Sequence, residues 1–441
     1  MLRVRSHAVN AEYDFIEKDN RTGFDTLFQR GFFGRRTPVS TCKVEHTCLF
    51  MSAQELDYSD IAPYDDEIFH SKMEALVRDP GFLHAVNYTM PKNDVPALIE
   101  DLLKIDNKYD FQHQVMFPFL EMLAKTTTAG ISLGGVKYYN PALNYVFITN
   151  HRDIVLDASF LNLAFMRRNI PTSEVAIGNN LLVFDWITDL VRLNKSFIVK
   201  RNTGLREGLL AAKKLSAYIH HAILDKNESV WIAQREGRAK DSSDRTQESL
   251  VKMLALGGEG SFVDRLKEIN LMPVSISYEF DPNDYLKVKE FLMKRRNPDF
   301  KKSQRDDLFS METGLLQFKG KVHFQLTPRI NTKLDQIGEF SDNNTSAKYV
   351  GCLIDQAIHR SYEIFPINYI AFDMLHHTDR FAGKYTREQR EETEHYFNSQ
   401  LDKVDVEDVT EEERDFMMEM MLVMYANPLK NKLKTILGGM E

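Results

Sequence analysis

YVFITNHRDIVLDASFL, residues 145–161, reads as a strand, a turn and a helix in quick succession. The opening run is β-branched and aromatic and ends at Thr149, Asn150 and His151 follow in the turn, and a helix begins near Asp153. Such a segment is the first half of a parallel crossover. His151 therefore belongs at the C-terminal edge of a sheet, where open α/β folds bind their ligands.

Working outward, the same alternation recurs. Short runs of strand character (EVAI, SFIVK, SVWIAQ, LMPVSISYE, KVHFQLT) are separated by helical stretches at 158–168, 180–193, 204–224 and 245–256. Strands and helices alternating at these lengths predict an α/β domain over roughly 131–330, a largely parallel sheet covered by helices on both faces. Before it, DVPALIEDLLKI and FQHQVMFPFLEMLAKTTTAG carry apolar residues at i, i+3, i+4 and i+7. Asp94 and Asp110 stand in cap-like positions and Gly130 at the stop, so 51–130 reads as a helical N-terminal subdomain. Residues 331–441 form a helical C-terminal region: Thr386 caps one helix, Thr410 and Glu413 supply a capping box for another, and its MMEMMLVM run faces a core. Residues 1–50 carry a net charge of +2 in a chain of net charge −8 and show neither period. They read as a flexible extension, or as translation from a start upstream of Met51, dispensable for folding and activity.

Composition narrows the function. With 441 residues, 43% of them hydrophobic and 27% charged, the chain is an ordinary globular one. Its acidic balance argues against a dedicated nucleic-acid binder, which needs a basic surface. Three cysteines, Cys42, Cys48 and Cys352, make no disulfide framework and point to a reducing compartment. No stretch approaches the ~20 apolar residues of a membrane span, and Arg3 and Arg5 are not followed by a secretory apolar run. A cytoplasmic protein is expected.

The candidate chemistry gathers at one sheet edge. A neutral imidazole at His151 can take a proton from an alcohol, and a nearby carboxylate, Asp157 or Asp153, can set its tautomer and stabilise the imidazolium. Lys200 and Arg201 end a second strand; Gln234, Arg235, Glu236, Gly237, Arg238 and Lys240 follow a third. Basic groups there could grip a phosphate, with Gly237 letting backbone approach it. The pairs His220-His221 and His376-His377 lack further ligands at helical spacing, so no metal is expected, and LGGEGS follows a helix and reads as a turn.

In order and spacing, these segments resemble the glycerolipid acyltransferase superfamily, the glycerol-3-phosphate and 1-acylglycerol-3-phosphate acyltransferases. NHRDIVLD is similar to its Asn-His…Asp motif, FIVKRN to its basic second motif, REGRAK to its Glu-Gly-Thr-Arg motif and LMPVSISYE to its Pro-containing strand. The likeness spans about 131–280. It departs from the pattern twice: five residues, not four, separate His151 from Asp157, and Arg238 follows Glu236-Gly237 one residue early. The resemblance implies that His151 is the general base and Asp157 its orienting partner. Lys200, Arg201, Glu236, Gly237 and Arg238 would bind the acceptor, and Pro273 would shape the donor side. It implies transfer of a fatty acyl group from acyl-CoA or acyl-carrier protein, as co-substrate with no other cofactor, to a phosphorylated glycerol in phospholipid synthesis. The protein would then sit peripherally at the inner face of the cytoplasmic membrane. Competing expectations are another lipid acceptor, such as an amino-acid lipid, and a non-catalytic membrane scaffold with a degenerate site.

Overall fold

The computed structural model describes residues 57–89, 95–201, 204–335 and 342–438. The expected extension, 1–50, and the expected cap Asp94 lie outside the described residues.

The N-terminal helices are α1 (Asp66–Arg78), α2 (Pro80–Thr89) and α3 (Val95–Leu102). Then one turn at Lys108–Asp110 runs through a π-helical segment, Phe111–Met116, into α4 (Phe117–Thr127). Asp110 is not the cap expected of it. The preceding Asn107 takes that place, its side-chain oxygen accepting from the Asp110 N–H at 2.8 Å. Either residue type would serve, and only the backbone decides which is extended.

The sheet follows. Its strands are β1 (Gly130–Gly134), β2 (Val146–Thr149), β3 (Glu174–Gly178), β4 (Ser196–Val199), β5 (Val230–Ala233), β6 (Leu271–Tyr278) and β7 (Lys321–Leu326). They lie in the order β1-β7-β6-β2-β5-β3-β4. All neighbours are parallel except β6 and β7. This is the α/β class read from the sequence, with one strand added: Gly130 begins β1 instead of ending a helix. This five-residue edge strand has only two apolar side chains, Ile131 and Leu133, between glycines at 130 and 134, and a glycine after a helical pattern reads equally well as a helix stop.

Between strands lie α5 (Leu156–Met166), α6 (Asp185–Leu193), α7 (Leu205–Leu224), α8 (Glu248–Leu254), α9 (Phe262–Glu268), α10 (Asp284–Arg296) and α11 (Gln304–Leu316). The central strands β2 and β6 are buried at every position, as strands covered on both faces must be. Alternation sorts their side chains. Val146, Ile148 and Leu271 pack with Leu215 and Ile219 of α7, while Phe147, Met272 and Val274 pack with Phe160, Leu161 and Phe165 of α5.

After β7 come α12 (Asn331–Asp335), α13 (Asn343–Arg360), α14 (Pro366–Leu375), α15 (Arg387–Leu401) and α16 (Glu411–Ile436). Val350, Ile354 and Ile358 of α13 complete the core on the α7 side of the sheet. The last three helices close around Met417, Met420, Met421 and Met424, with Phe397 and Leu401. Both expected caps form: Thr386 pairs with Gln389, and Thr410 with Glu413. Among the described residues no helix is long and apolar enough to cross a membrane.

Candidate active site

The central turn is held from three sides. Thr149 ends β2 between β5 and β6, its carbonyl accepting from the Gln234 N–H at 2.7 Å. Asn150, fully buried, uses its amide as a surrogate strand edge: the oxygen accepts from the Ile276 N–H at 2.8 Å, and the nitrogen donates to the Ile276 carbonyl at 3.0 Å. His151 is thereby delivered to the sheet edge with its side chain 13% exposed.

His151 Nδ1 lies 2.8 Å from Asp157 Oδ2, which also accepts from the Arg152 N–H at 2.6 Å. Asp153 does something else. Its Oδ1 accepts from the N–H groups of Val155, at 2.9 Å, and Leu156, at 2.7 Å, so it closes the turn that leads into α5. The residue added to this spacing is taken up between Arg152 and Val155, before the helix begins at Leu156, and Asp157 lands in the first helical turn. Burial, reinforced by the neighbouring Asp157, raises the Asp153 pKa against the pull of its backbone donors. The Tyr278 hydroxyl, also buried, is held well above its ordinary range by burial and then by Asp157 and Asp153.

Charged struts brace the turn from below. The Arg152 guanidinium meets the Asp244 carboxylate with both terminal nitrogens, at 2.6 and 3.3 Å. Tyr362 donates to the same carboxylate, and His359 Nε2 lies 2.8 Å from the Asp244 carbonyl. Lys287 of α10, buried, bonds Asp281 and donates to the Arg152 carbonyl at 3.3 Å; burial lowers its pKa. None of Arg152, Asp244, Asp281 and Lys287 was expected from sequence. Arg152, Asp244 and the Asp281–Lys287 pair come from three segments far apart in the chain, and no motif marks them.

His151 opens on a cavity of about 1970 Å³. Its wall includes apolar residues from the N-terminal helices and the segment around α6, Phe82, Leu98, Val115, Phe119, Leu182 and Trp186, with Asp101 and Lys104 among them. It also includes Arg201, Arg235, Glu236, Arg238 and Lys240 from the segments that follow β4 and β5. Trp231 lines it too, its ring edge-on to the imidazole at 5.8 Å.

The structure therefore brings together His151, Asp157, Arg201, Glu236, Gly237 and Arg238. Arg201 Nη1 is 3.3 Å from Asn180 Oδ1 and 3.5 Å from Glu236 Oε1. Gly237 has φ +69°, a left-handed conformation that favours glycine, and a Cβ there would meet no atom within 4 Å. Lys200 is elsewhere: it pairs with Asp60, as does Lys214, and does not line the cavity. Lys200 and Arg201 both follow the end of β4 at Val199, and there they diverge, Lys200 turning to Asp60 and Arg201 to the cavity. Pro273 also stands away from the cavity, buried inside β6 opposite Ile148.

With Nδ1 held by a carboxylate, the imidazole keeps its proton there and leaves Nε2 as the basic nitrogen, the arrangement of a general-base site for activating a hydroxyl or water. Among the described residues no group of three or more His, Cys, Asp or Glu side chains is arranged to hold a metal ion.

No family model matches the sequence, and no curated protein matches it. Among solved structures, the crystal structure of the 1-acyl-sn-glycerophosphate (LPA) acyltransferase PlsC from Thermotoga maritima is similar at 12% identity, over 66% of this chain and 92% of that chain, with a TM-score of 0.34. A likeness that small carries no functional argument, and the reading of the site rests on its own geometry.

Proposed function

We propose that this protein is an acyltransferase that moves a fatty acyl group from an acyl thioester, acyl-CoA or acyl-carrier protein, to a hydroxyl of glycerol-3-phosphate or 1-acylglycerol-3-phosphate. The observation that supports it best is the His151–Asp157 pair opening on a large cavity whose wall combines many apolar side chains with several arginines and lysines. Such a cavity suits a substrate pair comprising a hydrocarbon chain and a phosphate.

In this reaction His151 Nε2 takes the proton of the acceptor hydroxyl as its oxygen attacks the thioester carbonyl carbon. Asp157 stabilises the imidazolium through Nδ1–H. The tetrahedral intermediate collapses with cleavage of the C–S bond, and the imidazolium returns its proton to the departing thiolate. Arg201 and Arg238 hold the acceptor phosphate by charge-assisted hydrogen bonds. The step as written needs no cofactor beyond the thioester co-substrate.

An acceptor screen with mass-spectrometric product detection tests the reading: an acylated phosphoglycerol is the expected product, and acylation of an unphosphorylated lipid in preference would overturn the acceptor assignment. Because the product is a lipid, the protein is expected to work peripherally at a membrane surface, the inner face of the cytoplasmic membrane. Vesicle flotation in low and high salt tests that. Binding released by salt is the expected result, and a protein that never floats would contradict it.

A further inference from the structure

The charged wall of the cavity also includes residues of α10 and of the loop after it. Glu290, its side chain 5% exposed, lies within reach of three lysine ammonium groups: Lys240, Lys294 at 3.5 Å and Lys302 at 3.2 Å. All four residues line the cavity. Two of these lysines come from outside the resembling motifs, one from the last turn of α10 and one from the loop after it.

Glu290 alone cannot neutralise three ammonium groups; Asp299 and Asp307 also line the cavity, but the ion pairs of these three lysines converge on Glu290. Burial and the neighbouring charges both act on these groups. Burial, to which Lys294 and Lys302 add, brings Lys240 down to about 8 despite Glu290. For Glu290 burial alone would raise the pKa, but the lysines outweigh it and hold the carboxyl at about 2. A protein rarely gathers three partly covered cations on one carboxylate for stability alone, since their mutual repulsion opposes folding. An anionic ligand would relieve it.

The position on α10 says which anion. Lys287 touches the carbonyl of Arg152, the residue after His151, and Lys294 lies seven residues on, about 10 Å along the axis at 1.5 Å per residue. The phosphate of a phosphorylated glycerol is only a few bonds from the hydroxyl that reacts. It belongs near His151, with Arg201 and Arg238. The phosphates of a pantetheine-type thioester are a long arm away from the reacting carbonyl.

We propose that Lys240, Lys294 and Lys302 form a separate phosphate subsite that holds the acyl donor by the phosphates of its pantetheine arm. This rests on the acyl-transfer reading for the donor's identity, but its test does not depend on turnover.

The test is calorimetric titration of the full chain, wild type and the Lys294→Ala/Lys302→Ala double variant, with CoA, 4′-phosphopantetheine and pantetheine. Both replaced side chains are partly exposed, and circular dichroism checks the fold. Wild type should bind CoA at least about tenfold more tightly than pantetheine, and the double variant should lose that difference. Phosphopantetheine binding as tightly as CoA assigns the subsite to the phosphate that CoA and carrier protein share; weaker binding assigns it to the nucleotide phosphates. In turnover, the double variant should raise KM for acyl-CoA about tenfold and leave KM for an acyl-N-acetylcysteamine, which has no phosphate, unchanged. Unchanged CoA affinity in the double variant overturns the subsite even if acyl transfer is observed. A raised KM for the acceptor instead of the donor overturns it too. Lysine-dependent CoA binding in a protein that transfers no acyl group would uphold the subsite and sink the function proposed above.

Discussion

His151 Nδ1 lies 2.8 Å from Asp157 Oδ2, although one residue more than the resembling motif allows separates them. The pairing survives because the added residue falls in the turn. Asp153 satisfies the N–H groups of Val155 and Leu156 there, so the helix begins late enough to carry Asp157 back beneath the imidazole.

From this division of labour the two aspartates should respond differently to the same change. Asp157→Asn leaves an acceptor for the Arg152 N–H but removes the charge that stabilises the imidazolium. It should lower kcat by about 10²–10⁴-fold with little change in KM. Asp153→Asn keeps an oxygen for its two backbone donors and should lower kcat less than about tenfold. Steady-state kinetics of the two variants side by side decide it, and the reverse ranking would make Asp153 the partner.

The Arg152–Asp244 pair is buried, with side chains 6% and 1% exposed. Asp244→Ala leaves a guanidinium without its counter-charge and should cost about 3–5 kcal/mol, read as a lower urea midpoint at unchanged m. A loss below about 1 kcal/mol would mean that the turn stands without this strut.

Gly314 of α11 packs against the same turn: a Cβ there would lie 2.0 Å from Asp153 Oδ2. Gly314→Ala should therefore displace Asp153, costing about 1–3 kcal/mol. It should also reduce kcat, because the displaced turn carries His151. Thermal melts with parallel assays test both, and a variant of wild-type stability would show that α11 can retreat.

Asp355, on α13, accepts from both the N–H and the hydroxyl of Thr246, yet burial, with Asp244 nearby, raises its pKa to about 7. Its folded pKa exceeds the unfolded one, so its contribution to stability is present below about pH 4 and is lost as pH rises through about 7. Asp355→Asn, which keeps the acceptor and cannot ionise, should melt above wild type at pH 8 and no higher than it at pH 4. Equal differences at both pH values would contradict the shift.

Much of this site follows from local pattern. His151, Arg201 and the Glu236–Arg238 run all follow strand ends, visible as a β-branched run meeting polar residues, and Asp157 sits in the first turn of the helix after one of them. What sequence spacing does not carry is the side on which a residue falls or the partner it meets. Lys200 and Arg201 read as one basic cluster, but beyond the end of β4 Lys200 goes to Asp60 and Arg201 to the cavity. Nothing in the local pattern marks Asp244, Lys287 or Glu290, because what they do depends on contacts with distant segments, Arg152 for Asp244 and Lys287, and Lys240 for Glu290. Their roles exist only after α10 and α13 have packed on the sheet edge. β1 is hard to see for a different reason: it is five residues long, and its first residue, Gly130, follows a helical pattern that a glycine commonly ends.

Acceptor-dependent release of free thiol from a long-chain acyl-CoA, followed for wild type and a folded His151→Ala variant, tests the central claim most directly. Wild type should release thiol in step with formation of an acylated phosphoglycerol, and His151→Ala should lose at least about 99% of that rate, as removal of a general base requires. Thiol release by the variant at the wild-type rate, or none from wild type with any phosphorylated glycerol, would contradict the account.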